Sequence, residues 1–252
     1  MIYSLLLSNC LSFNINLKTS LAERKILKFF LDTADLAEIE EANSWGALAG
    51  VTTNPTLYSR IGGKLDDFHN HIKKICDIVG ENCPVSAESV AMTRDEIVAD
   101  GRVLAAIAPN VVVKVPTCVE GLAATRALAD EGIRVNMTLC FSVPQAILAA
   151  RAGARYISPF IGRFDDISED GLDQVQQIVQ AIGNYDFTKN TVNGEQVEII
   201  AASIRSANHV TQCALFGADI ATVPFAVMKK LVIHPLTDAG IESFLNDWEK
   251  VK

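Results

Sequence analysis

The strongest constraint on the fold is a rhythm. From residue 28 onward, short apolar runs alternate with amphipathic stretches, and the pair recurs eight times. The apolar runs fall at 29–32, 50–53, 85–89, 111–115, 134–138, 156–159, 198–202 and 220–223, and their length and composition predict buried strands. Helical periodicity covers 36–44, 65–79, 94–107, 121–130, 143–150, 171–182, 206–216 and 226–232. Such alternation defines an α/β fold, because parallel strands need a crossover, usually a helix, between them. Eight units are what a closed (β/α)8 TIM barrel requires. An open doubly wound sheet is the competing architecture, but no G-x-G-x-x-G follows the first strand, so a dinucleotide site has no support. Gly121, Gly132, Gly153 and Gly217 are expected just past helix ends.

The chain of 252 residues has room for one barrel of ordinary size or for two small domains. No linker or low-complexity stretch interrupts 28–252, so this span is expected to be one catalytic domain. Residues 1–27 read as an extension outside the fold: Leu5-Leu6-Leu7 has no basic residue before it and no clear cleavage site after it, unlike a secretory signal. The functional chain is expected to begin near Lys28, and deletion of 1–27 to leave a soluble, active protein. After the eighth unit, Ile241, Phe244, Leu245, Trp248 and Val251 form a helical apolar stripe, an extra C-terminal helix that must dock on its own barrel or on another subunit. A homo-oligomer is the expectation.

Charge and cysteine usage narrow the function. A formal net charge of −8 argues against nucleic acid and anionic membranes as partners. A phosphorylated small molecule is compatible with it, since two arginines can hold a phosphate locally. Cys10, Cys76, Cys83, Cys118, Cys140 and Cys213 contain no C-x-x-C pair and read as reduced thiols of a cytoplasmic protein. His69 and His71 do not share a helical face, so no metal site is expected.

Within this frame one strand stands apart. In Val111-Val112-Val113-Lys114-Val115-Pro116 four valines surround a lysine. An ammonium among apolar side chains is poorly solvated, which favours the neutral, nucleophilic amine. The ordinary alternative is a lysine at the strand's end that snorkels into water. The company it keeps decides between them. In a TIM barrel the carboxyl ends of the strands converge on one mouth, where active sites lie. Those ends carry Asp32, Thr52-Thr53-Asn54, Glu88, Lys114, Asn136 and Thr138, Ser158 leading to Arg163, and Ser203 with Arg205. Each has a plain reading: Asp32 as a helix N-cap, Glu88 as a structural partner of Lys114, the arginines as surface ion pairs. A whole ring of polar strand ends is costly unless it pairs internally or with a ligand.

The chemistry such a ring supports is a Schiff base. Lys114 attacks the ketone of a sugar phosphate, and the iminium draws electrons from the neighbouring C–C bond. Glu88 moves protons during dehydration through a water held by Thr138, and Asp32 is the base for the hydroxyl that becomes an aldehyde. Thr52, Asn54, Asn136 and Ser158 line the route, with the asparagines orienting hydroxyls and imine. Arg163, Arg205 and Ser203 clamp the phosphate. No metal or organic cofactor is needed.

The motifs Leu31-Asp32-Thr33, Gly50-Val51-Thr52-Thr53-Asn54-Pro55-Thr56, Val113-Lys114-Val115-Pro116, Ser158-Pro159-Phe160-Ile161-Gly162-Arg163 and Ala202-Ser203-Ile204-Arg205 resemble the transaldolase family, in particular its short, fructose-6-phosphate aldolase-like members. The likeness runs from about Lys28 to the C-terminus. It implies a (β/α)8 barrel with the Schiff-base lysine on the fourth strand. It implies transfer of a dihydroxyacetone unit from fructose 6-phosphate or sedoheptulose 7-phosphate to an aldose phosphate in the non-oxidative pentose phosphate pathway. It also implies a decamer of two pentamers in which the C-terminal helix reaches a neighbour. Aldolase-type members carry glutamine at the position of Glu88 and tyrosine at that of Phe160, so both departures point to the transferase. The alternatives are a fructose-6-phosphate aldolase that uses free dihydroxyacetone, and a catalytically idle sugar-phosphate-binding barrel.

Overall fold

The computed structural model describes residues 26–252. The extension read at 1–27 therefore lies outside the described residues, apart from its last two. Eight parallel strands close on themselves in sequence order: β1 (Lys28–Asp32), β2 (Leu48–Thr52), β3 (Val85–Glu88), β4 (Val111–Pro116), β5 (Val135–Cys140), β6 (Tyr156–Pro159), β7 (Glu198–Ala201) and β8 (Ile220–Val223). β8 pairs with β1, so the sheet has no free edge. The helices are α1 (Leu36–Ser44), α2 (Pro55–Arg60), α3 (Phe68–Val79), α4 (Arg94–Ala105), α5 (Val119–Asp130), α6 (Val143–Ala152), α7 (Ile161–Asp165), α8 (Gly171–Gly183), α9 (Ala207–Phe216), α10 (Phe225–Lys230) and α11 (Pro235–Glu249). The expected (β/α)8 barrel with an additional C-terminal helix is the fold observed.

Alternation along the strands sorts the core into two compartments. In β4, Val111, Val113 and Val115 face outward and join Leu31, Val51, Val85, Ile157 and the inner faces of the helices. Val112 faces inward, with Phe30, Tyr156, Ile200 and Ile220, and these five fill the barrel floor. Lys114 has the parity of Val112, one layer higher. The barrel interior is thus apolar below and polar above. Of the valines around Lys114, those adjacent to it in the chain point the other way, so the apolar jacket expected from the sequence is not what meets its amine.

Helix starts follow from local chemistry. Asp35 caps α1 by accepting from Ala37 N and Glu38 N, Asn54 caps α2, Thr93 and Glu96 form a capping box on α4, and Ser142, Asp170 and Ser206 cap α6, α8 and α9. Each such cap is worth about 1 kcal/mol. Because Asp35 does this work, Asp32 is not the N-cap that the spacing allowed. Gly153 and Gly217 end helices with positive φ, and Gly132 follows α5 at φ 80. Gly121 breaks the expectation: it lies in the first turn of α5, against the backbone of Pro116. Cys76, Cys83, Cys140 and Cys213 are buried free thiols and Cys118 is exposed; Cys10 lies outside the described residues. Among the described residues no helix is long and apolar enough to cross a membrane.

Candidate active site

Strand register brings the polar ends together. Asp32 pairs with Thr52, Glu88 with Lys114, Lys114 with Asn136, and Thr138 with Ser158. They open into a cavity of about 600 Å³ at the carboxyl ends of the strands, a size suited to a small metabolite. Asp32, Glu88, Lys114, Thr138, Arg163 and Arg205 all line it, as do Thr52, Asn54, Ser158, Phe160 and Ser203. Asn136 does not: it is fully buried, with its side chain bonded to Ser158 and Ser86.

Lys114 is 4% exposed, so it does not snorkel into water. Its Nζ lies 2.9 Å from Glu88 Oε2 and donates to the Thr53 carbonyl oxygen at 3.1 Å. The amine thus sits among polar acceptors, and the plain reading of Glu88 as its ion-pair partner is geometrically correct as well. Asp32 belongs to a second network. Thr52 Oγ1 donates to Asp32 Oδ1 at 2.7 Å and lies 2.6 Å from Thr222 Oγ1. With its proton committed to Asp32, Thr52 must accept from Thr222. Burial raises the pKa of Asp32 above the ordinary aspartate range; the Lys114 charge and the Thr52 hydroxyl oppose this, and the Glu88 charge reinforces it. Although Asp32 as a residue is half-buried, its carboxyl is packed deeply enough for desolvation to dominate.

A third network fixes Asn136. Ser158 Oγ donates to Asn136 Oδ1 at 2.7 Å, and Asn136 Nδ2 donates to Ser86 Oγ at 3.1 Å. One amide hydrogen is left for anything above. Asn54 spends its side-chain oxygen on Leu57 N at 2.9 Å, which leaves its amide group for a ligand. Thr138 is fully buried, and its hydroxyl has no hydrogen-bond partner among the described residues. A buried hydroxyl costs about 1–3 kcal/mol when unpaired, so this atom keeps its capacity to bond to a water or a ligand group.

The arginines stand at the rim. Arg205 donates to both Asp166 oxygens, at 2.5 and 2.7 Å, and Arg163 Nη1 lies 3.9 Å from the same carboxylate. Phe160, half-buried at the start of α7, packs edge-on against Phe141. Ser203, and Leu139 across the cavity, have left-handed backbone, each at φ 56. Such residues cost about 1–3 kcal/mol each and cluster at functional sites. Sequence reasoning did not identify Leu139, Thr222, Arg60 or Asp166. Arg60 had a signal: Asn54-Pro55 is an N-cap followed by a first-turn proline, which announces the short helix that ends at Arg60. Among the described residues no three His, Cys, Asp or Glu side chains gather as a metal would need.

Fold and site together define a class: a parallel (β/α)8 barrel with a buried lysine–carboxylate centre at its carboxyl-end mouth and arginines at the rim. Comparison with known proteins makes this specific. A family model described as "Transaldolase/Fructose-6-phosphate aldolase" matches residues 29–252. A probable transaldolase of Bacillus cereus is 53% identical over 226 residues, covering 90% of this chain and 99% of that protein. One of Thermus thermophilus is 54% identical over 232 residues, covering 90% and 100%. The chain belongs to the transaldolase/fructose-6-phosphate aldolase family. Solved structures share the barrel at low identity, among them 2,3-dimethylmalate lyase (TM-score 0.55, 14% identical, covering 94% of this chain and 87% of that one) and thiamine phosphate pyrophosphorylase of Pyrococcus furiosus (0.54, 16%, covering 80% and 87%).

Proposed function

We propose that this protein is a transaldolase that moves a dihydroxyacetone unit from a ketose phosphate to an aldose phosphate through a Schiff base on Lys114. The observation that carries this reading is a nearly water-free amine 2.9 Å from one carboxylate, in a cavity that it shares with a second. As a free amine, Lys114 has two hydrogens for its two acceptors, Thr53 O and Glu88, and its lone pair is left for the cavity. Attack on the C2 carbonyl of fructose 6-phosphate or sedoheptulose 7-phosphate gives a carbinolamine. Loss of its hydroxyl as water, protonated by Glu88 through a water at Thr138, leaves the iminium. Asp32 then takes the proton of the C4 hydroxyl, the C3–C4 electron pair flows into the iminium, and the aldose phosphate departs from an enamine. Reversal with a second aldose phosphate completes the transfer. A carboxylate with a raised pKa is suited to taking that proton and returning it. Arg163, Arg205 and Ser203 hold the phosphate, Asn54 the hydroxyls, and Thr52 aligns Asp32.

The pathway reading, non-oxidative pentose phosphate chemistry in the cytoplasm, follows from that reaction class and the family resemblance. So does assembly as a homo-oligomer. It is supported by α11, whose Leu236, Phe244, Leu245 and Trp248 are all exposed on the isolated chain. The family description also names fructose-6-phosphate aldolase; that alternative, a lyase using free dihydroxyacetone, is disfavoured by Glu88 and Phe160, which favour the transferase. The deciding experiment is borohydride reduction in the presence of fructose 6-phosphate, with peptide mapping, paired with turnover measured with and without erythrose 4-phosphate. A covalent adduct on Lys114, lost in Lys114→Ala, and strong acceptor dependence are expected. Normal turnover by Lys114→Ala would end the Schiff-base account, and acceptor-independent cleavage would make the protein a lyase.

A further inference from the structure

The two arginines that line the cavity share a carboxylate, Asp166, which does not itself line it and which the reaction does not call for. Beyond the strand ends, the loops after β6 and β7 remain zipped: Phe160 bridges to Ala202, Ile161 N donates to Ala202 O at 2.9 Å, and Gly162 N to Ser203 O at 3.1 Å. This carries α7 and Asp166 against Arg205. Gly162 forms the floor under the guanidinium, since a Cβ there would lie 2.4 Å from Arg205 Nε and 2.7 Å from Ser203 O. Asp166 takes the outer edge, accepting from Nη1 at 2.5 Å and Nη2 at 2.7 Å, while also standing 3.9 Å from Arg163.

We infer that Asp166 is an affinity-setting residue of the phosphate site, an internal anion that competes with the phosphate of the substrate for Arg205 and so sets how tightly any phosphoryl group is held. The inference rests on the reading of Arg163 and Arg205 as the phosphate clamp. A guanidinium binds a phosphate best through its paired N–H groups, and here both Nη atoms of Arg205 are already engaged by a carboxylate. With Asp166 ionised, the three side chains sum to one positive charge where the arginines alone would give two. The ion pair is half-exposed on both sides, so it is weak enough to yield to a dianion. Loosening every phosphorylated ligand alike raises KM without helping the chemical step. That keeps free phosphate and phosphorylated products from occupying the site.

The test measures the dissociation constant of inorganic phosphate by calorimetry on the full chain, for the parent protein, Asp166→Asn, Arg205→Ala and the double variant. Asp166→Asn is expected to tighten phosphate about fivefold, the scale of an exposed ion pair, and to lower the KM for fructose 6-phosphate in parallel. Arg205→Ala is expected to weaken phosphate at least tenfold, and in that background Asp166→Asn should tighten it by much less than fivefold, since only the more distant Arg163 is left for it to affect. If Arg205→Ala weakens phosphate while Asp166→Asn leaves it unchanged or weaker, the competition is wrong and the clamp stands. If Asp166→Asn tightens phosphate equally without Arg205, the effect is bulk charge and the inference also fails. If Arg205→Ala has no effect on phosphate, the clamp reading itself falls.

Discussion

Replacing Gly121 by alanine tests how closely the start of α5 must approach the strand that carries the lysine. A methyl carbon built on Gly121 would lie 2.0 Å from the carbonyl oxygen of Pro116 and 3.2 Å from Val115 Cγ1. Carbon–oxygen contacts in proteins lie at roughly 3.3 Å or more, so the helix and the end of β4 must part by more than about 1 Å. The obstacle is backbone, which cannot turn aside as a side chain would. It is also pinned: Cys118 N donates to Pro116 O at 3.0 Å and Thr117 N to Thr138 O at 2.8 Å. Overpacking of this kind costs about 1–3 kcal/mol, which for a domain of this size lowers the thermal midpoint by roughly 2–12 °C. Pro116 is two residues from Lys114 on one strand, and misplacing a reacting group by about 1 Å costs on the order of 10²-fold in rate. The assays are the thermal midpoint and the initial rate of borohydride trapping with fructose 6-phosphate. Gly183→Ala is the control, because it ends α8 and a Cβ there meets nothing within 4 Å; it should be neutral or stabilising by up to about 1 kcal/mol. If Gly121→Ala matches Gly183→Ala in both midpoint and rate, the close approach does not hold β4, and the account of how Lys114 is placed is wrong.

Two other substitutions probe the proton-moving groups. Burial raises the pKa of Asp32, so the ionised form is the one the folded protein tolerates poorly. Its contribution to stability is therefore full below the unfolded value of about 3.9 and lost as pH rises through the folded value. Asp32→Asn should accordingly raise the thermal midpoint at pH 7, show no such gain near pH 3, and lower kcat about 10²–10⁴-fold; a variant less stable than the parent at pH 7 would refute the dominance of desolvation. Thr138→Val removes a buried hydroxyl that bonds to nothing among the described residues, so stability should hold or rise while trapping slows by roughly 10-fold or more, as expected if the hydroxyl positions a proton-carrying water. Trapping at the parental rate would remove Thr138 from the mechanism.

Much of this architecture was legible in the chain because barrels are built from local rules. Strand runs of four to six residues, helix periodicity and the capping residues each act within a few positions, and the eight units appeared where the alternation placed them. The converging polar ends followed from topology alone. What escaped had its cause elsewhere in the fold. The positive φ of Leu139 arises where β5 slips its register against β6 between Thr138 and Cys140, and nothing in a leucine announces that. Gly121 looked like helix punctuation because a glycine required for backbone contact and one required for a left-handed cap are the same letter. Asp166 and Arg205 are 39 residues apart, and only the continued β6–β7 pairing makes them partners.

By itself, then, the sequence determined the order of elements and the types of side chain available at one end of the sheet, since periodicity, capping and strand length depend on near neighbours. The tertiary structure decided which way each side chain faced and what it touched. Parity in β4 sent its odd-numbered valines toward the helices and Lys114 into the barrel. Closure then set a carboxylate and a carbonyl oxygen against the amine. Those contacts depend on distance in space, and no reading along the chain contains it.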